Sequence, residues 1–91
     1  MTKELQKTSV QNQEALSAGK ELILHNDDVN TFDFVIETLM EVCQHEPLQA
    51  EQCALIAHYK GKCGVKSGPL PEILPQAVEM ERRGLTVTIE E

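Results

Sequence analysis

The stretch Glu21–Asp28, ELILHNDD, followed at once by Val29–Cys43, VNTFDFVIETLMEVC, decides how this chain folds. Leu22, Ile23 and Leu24 form a short apolar run that stops at Asn26, Asp27 and Asp28, residue types that favour turns and helix starts. A strand therefore runs into a polar loop. From Phe32 the period changes, and Phe32, Val35, Ile36, Leu39, Met40 and Cys43 recur at spacings of three and four, the apolar stripe of a helix. Asn30 is expected to cap this helix, with Asp33 at the capping-box distance. A strand end and a helix start thus meet at an acidic loop.

Downstream, Pro47 suits the first position of a second helix, which should run to Lys60 and end at Gly61. Cys63 and Val65 alternate with Lys62, Gly64 and Lys66, the period of a strand with one buried face. After the Ser67-Gly68-Pro69 break, a third helix carries Ile73, Leu74, Ala77 and Met80 on one face and ends at Arg82, Arg83 and Gly84. Pro75 predicts either a kink in that helix or a later start, because proline has no amide hydrogen to donate. Leu85, Val87 and Ile89 then alternate with Thr86 and Thr88 as a third strand. The order βααβαβ predicts an α+β fold, with a three-stranded, mainly antiparallel sheet and three helices packed on one face.

A chain of 91 residues with 41% hydrophobic and 25% charged residues has room for one globular domain. Its net charge of −7 has the wrong sign for gripping phosphate backbones or anionic lipid, so neither nucleic acid nor membrane is an expected partner. Residues 1–20 hold Lys3, Lys7 and Lys20 against Glu4 and Glu14, a net of +1. That leaves 5 basic and 13 acidic residues, a net of −8, for residues 21–91. The apolar residues of the first segment are too scattered for a buried stripe, so the expected division is a flexible tail over 1–20 and a folded core over 21–91. No apolar run approaches the ~20 residues of a membrane span, and no secretory signal is visible. The three cysteines are odd in number and lack a CxxC pair, which fits reduced thiols and a cytoplasmic location.

Neither a metal nor another cofactor is expected. Histidines, cysteines and carboxylates are present, but no His-x-x-x-His, paired CxxC or calcium-loop spacing organises them. The cysteines fall at apolar positions, where thiols usually pack inertly, so no catalytic nucleophile is expected either. Ala54, Ala57 and His58 share one face of the second helix and leave a dent with a polar rim. Taken alone, that trio reads first as close helix packing beside a capping histidine. The loop Asn26-Asp27-Asp28 is likewise compatible with ordinary turn chemistry.

Together these motifs carry a resemblance. The combination of Leu24-His25-Asn26-Asp27-Asp28, Phe34-Val35-Ile36-Glu37-Thr38-Leu39 and Ala57-His58-Tyr59-Lys60-Gly61-Lys62 with Cys63-Gly64-Val65 resembles the ClpS adaptor family over residues 21–91. The resemblance implies a non-enzymatic, monomeric adaptor that binds proteins through a free N-terminal bulky apolar residue such as Leu, Phe, Tyr or Trp. It would hand these proteins to a ClpA- or ClpC-type AAA+ unfoldase working with the ClpP protease. By the same resemblance, Asn26, Asp27 and His58 would hold the substrate's α-amino group, with Asp28 and Asn30 beside the next residue's backbone. Phe32, Val35, Ala54, Ala57 and Leu85 would line the pocket for the first side chain. The chemistry of these residue types agrees, since a protonated amine with a pKa near ~7.7 suits a carboxylate, a carboxamide oxygen and an imidazole nitrogen. Phe32 stands where many relatives carry methionine, and Ala54 and Ala57 are smaller than the Met and Val common there, so a compensating exchange of volume is expected. The alternative reading is a structural module that uses the same fold to dock on a large assembly without recognising N-terminal residues.

Overall fold

The computed structural model describes residues 19–91, so the tail expected over 1–20 lies, up to residue 18, outside the described residues. The chain forms β1 (Lys20–His25), α1 (Phe32–Cys43), α2 (Pro47–Lys60), β2 (Lys62–Gly68), α3 (Leu70–Arg82) and β3 (Val87–Glu90). The sheet order is β2-β1-β3, and β1 pairs antiparallel with both neighbours, which makes the α+β sheet antiparallel throughout. Between Leu22 and Ile23 the pairing of β1 with β2 slips, from Lys66 to Gly64, leaving Val65 as the extra residue of a bulge. The core lies between sheet and helices: Leu22 and Leu24 of β1 meet Leu39 and Cys43 of α1, Ala50 and Ala57 of α2, and Ile73, Ala77 and Met80 of α3.

The start of α1 is shifted by one residue from the sequence expectation. Thr31, not Asn30, is the N-cap, and its Oγ1 accepts the Phe34 amide hydrogen at 3.1 Å. The reason lies in Asn30 itself, whose Nδ2 donates to Asp27 Oδ2 and to the Gly84 carbonyl, each at 3.0 Å. That side chain is committed to the loop and cannot turn back to cap a helix. Removing the Thr31 hydroxyl leaves one helix-start amide without its acceptor. A Thr31→Ala variant is therefore expected to lose about 1 kcal/mol of stability, read as a lower urea midpoint at unchanged slope.

Helix α2 runs from Pro47 to Lys60 as the spacing predicts, and Gly61 ends it at φ 95°. Helix α3 passes through Pro75 without a break, beginning at Leu70 and forgoing the one bond that a proline cannot donate. Phe32 and Met40 depart from the predicted stripe of α1, since both are substantially exposed while Thr38, Leu39, Val42 and Cys43 are buried. The end of α3 is fixed by charge: Arg82 and Arg83 both donate to Glu79, and Arg83 Nη1 also reaches Glu41 Oε1 of α1 at 2.7 Å. Hydrogen bonds from Arg82 and then Arg83 hold the Glu79 carboxyl down to about 2. These pairs are solvated and add little stability, but they fix the corner that leads into Gly84.

Candidate functional site

The C-terminal end of β1, the loop after it and the facing side of α2 enclose a cleft of about 280 Å³. Its architecture begins with backbone. The Asn26 amide donates to the Gly61 carbonyl at 2.9 Å, so the first loop residue is pinned to the end of α2. Asn30 is pinned to the Gly84 carbonyl, just after α3. Both acceptors sit in glycines with positive φ, 95° at Gly61 and 93° at Gly84, a conformation that disfavours any side chain. Two remote turns therefore hold the acidic loop at both ends.

Asp27 organises the loop between them. Its Oδ1 accepts the amides of Val29 at 2.9 Å and Asn30 at 2.7 Å, while Oδ2 accepts the Asn30 carboxamide. Burial pushes the Asp27 carboxyl up, but the Asn30 amide, the Asn30 carboxamide and the Val29 amide together outweigh it and hold the group below its ordinary value. The carboxylate stays charged at neutral pH. Two oxygens offer about four acceptor positions, and three are used, so capacity remains for a ligand.

The structure gathers nine of the ten sequence-predicted site residues in this one cleft. Asn26, Asp27, Asp28 and Asn30 line its loop side. Phe32 and Val35 enter from α1, and Ala54, Ala57 and His58 from α2. Leu85 is not among the lining residues; it is 2% exposed and packs in the main core cluster. Its alternation with Val87 and Ile89 could not tell a pocket wall from the core behind it. Leu24, His25 and Thr31 also line the cleft and were not singled out from the sequence. Leu24 and His25 stand within the quoted Leu24–Asp28 motif, whereas Thr31 is marked only by its place beside Phe32; His25 is held by a 2.8 Å bond between Nε2 and Thr88 Oγ1.

His58 stands on the last turn of α2, flanked by two rings. The Phe32 ring meets it edge-on at 5.2 Å between centroids and 64° between planes, and Tyr59 at 4.9 Å and 80°. Phe32 thus lines the cleft together with Ala54 and Ala57 and also packs against the imidazole. Among the described residues, the lining carries two carboxylates, Asp27 and Asp28, and no lysine or arginine. Apolar walls at one side and acidic acceptors at the other suit a ligand that joins a cation to a bulky apolar group. At about 280 Å³, the space lies at the lower edge of the roughly 300 to 1,000 Å³ of small-molecule sites, enough for one amino-acid residue and part of the next. A second cavity of about 310 Å³, beside Glu21, His45 and Lys66, mixes both signs of charge and offers little apolar wall.

Among the described residues, no helix is long and apolar enough to cross a membrane. The family model for the ATP-dependent Clp protease adaptor protein ClpS matches residues 20–88. A ClpS adapter from Nitratidesulfovibrio vulgaris is 40% identical over 53 residues, covering 56% of this chain and 53% of that protein. One from Campylobacter jejuni is 43% identical over 63 residues, covering 65% of this chain and 66% of that protein. The matched stretch thus spans between about half and two thirds of these relatives. Among solved structures, Agrobacterium tumefaciens ClpS2 bound to L-phenylalaninamide superposes with a TM-score of 0.67. That match covers 79% of this chain and 94% of the other at 20% identity, a likeness of fold.

Proposed function

Since this chain belongs to the family of ATP-dependent Clp protease adaptor proteins ClpS, we propose that its cleft binds the free N-terminus of proteins that begin with a bulky apolar residue. The observation that carries this reading is the meeting, in one cleft, of Asn26, Asp27 and His58 with the apolar Phe32, Val35, Ala54 and Ala57. The α-ammonium group takes the remaining acceptor position of Asp27, the Asn26 carboxamide oxygen and a His58 nitrogen. Asp28 and Asn30 lie beside the backbone of the following residue. The first side chain fills the space against the two alanines, where burying a Leu or Phe gains roughly 1.5 to 3 kcal/mol. A charged first side chain would be desolvated there without a partner. The ClpS2 structure, whose ligand is an amino-acid amide with a free amine and an aromatic side chain, supports the same choice of ligand.

In this reading the protein is a monomeric cytoplasmic adaptor, with no reaction of its own. It delivers what it holds to a ClpA- or ClpC-type AAA+ unfoldase and thereby to the ClpP protease. Residues 1–20 provide the segment that the unfoldase engages during delivery.

Fluorescence anisotropy with labelled peptides starting in Leu, Phe, Tyr or Trp, each paired with an N-acetylated copy, tests the reading. Acetylation removes both the charge and two donors, so the best ligand should weaken by at least about tenfold. Equal binding of free and acetylated peptides would discard recognition of the amine and favour a docking module instead.

A further inference from the structure

Two thiols outside the cleft face one point. Cys53, buried on α2, and Cys63, half-buried on β2, both donate to the carbonyl oxygen of Gly64, at 3.9 and 3.5 Å. One acceptor atom thus holds both sulfurs at the seam between helix and strand. The third thiol is placed differently: Cys43 is buried in the core and donates to Met80 Sδ at 3.7 Å. Neither Cys53 nor Cys63 lines the cleft, and the binding function proposed above uses neither of them.

We propose that Cys53 and Cys63 form a dithiol site that small disulfides oxidise to an intramolecular bridge. The half-exposed Cys63 is the entry point. Its thiolate attacks the oxidant's disulfide, forming a mixed disulfide and releasing one half as a thiol. The Cys53 sulfur, after losing its proton to solvent, displaces the second half, so one oxidant disulfide becomes two thiols and two protein thiols become one disulfide. Burial first, and then the neighbouring Cys63 thiol, push Cys53 up to about 12. Closure is therefore the slower step, and it accelerates by about tenfold per pH unit below that value. Once made, the bridge ties the helix that carries Ala54, Ala57 and His58 to the adjoining strand.

The test exposes the full chain to oxidised glutathione, counts thiols under denaturing conditions, and maps linkages by digestion and mass spectrometry. The expected result is loss of two of the three thiols, with a mass lower by two hydrogens. A peptide containing Cys53 should be joined to one containing Cys63, and dithiothreitol should restore both thiols. Cys43→Ala should bridge as the unaltered chain does, whereas Cys53→Ala should stop at glutathione on Cys63. Should Cys53→Ala not fold, Cys63→Ser at its half-exposed position must leave the other two thiols unbridged. An unaltered chain that halts at the mixed disulfide, bridges through Cys43, or links two copies overturns the proposal.

Discussion

Replacing Asp27 by alanine should weaken binding of a Leu- or Phe-initiated peptide by about 100-fold or more, the largest functional effect expected of any single change. Two losses combine. A charge-assisted bond to a ligand ammonium is worth about 1.5 to 3 kcal/mol, which alone corresponds to roughly 10- to 100-fold. The same carboxylate also accepts the amides of Val29 and Asn30 and the Asn30 carboxamide, so its removal releases the loop that presents Asn26. Asp27→Asn separates the two contributions, because it keeps one oxygen for the loop while removing the charge, and should fall nearer the lower figure. Asp28→Ala is the comparison: it removes an equal charge from the cleft but none of these loop bonds, and should cost less. Peptide titrations of the three variants, with folding checked by circular dichroism, decide the matter. Equal losses for Asp27→Ala and Asp28→Ala would mean that only the summed negative charge is felt.

Ile73→Ala should produce the largest loss of stability. Ile73 is completely buried on α3, within the cluster that joins all three helices to the sheet. Truncating it removes transfer free energy and leaves a cavity, for about 3 kcal/mol in all, and a domain of this size would melt roughly 15 °C lower. Thermal denaturation and urea titration measure the change. Because Ile73 does not line the cleft, the folded fraction should bind peptide with nearly unchanged affinity. A parallel fall in both would indicate that α3 packing controls the cleft through Gly84.

The element order was legible because the elements, apart from α3 with its internal Pro75, carried unmixed local signals. Pro47 and Gly61 bracket α2 at its observed ends, and the alternation through Val87 and Ile89 marks β3. The failures are where a side chain had two possible employers. Asn30 is an excellent cap by type, but Asp27 and Gly84 claim it, and Gly84 lies 54 residues away. Phe32 keeps the helical period yet turns to the cleft, while Leu85, which fits the alternation of the third strand, lies just before β3 and turns inward. Periodicity records that a residue meets apolar surroundings and is silent about whether these are core or cleft. His45 was one of several ligand-type side chains in the sequence; its ring is buried, and Nε2 donates to the Val65 carbonyl at 2.5 Å, tying the α1–α2 connection to β2. That partner is 20 positions away, beyond the reach of local pattern.

The anchoring of the loop at the Gly61 and Gly84 carbonyls bears on speed. A recognition loop that must find its shape for every encounter slows capture, and ordering it subtracts from affinity. Here the shape is stored in two distant turns before any ligand arrives. Capture should therefore proceed at the rate of productive collision, with discrimination among first residues expressed in how long each stays. If the cleft binds N-termini as proposed, a weakly held one should leave within its first few contacts, and the cleft should be promptly vacant for the next chain end.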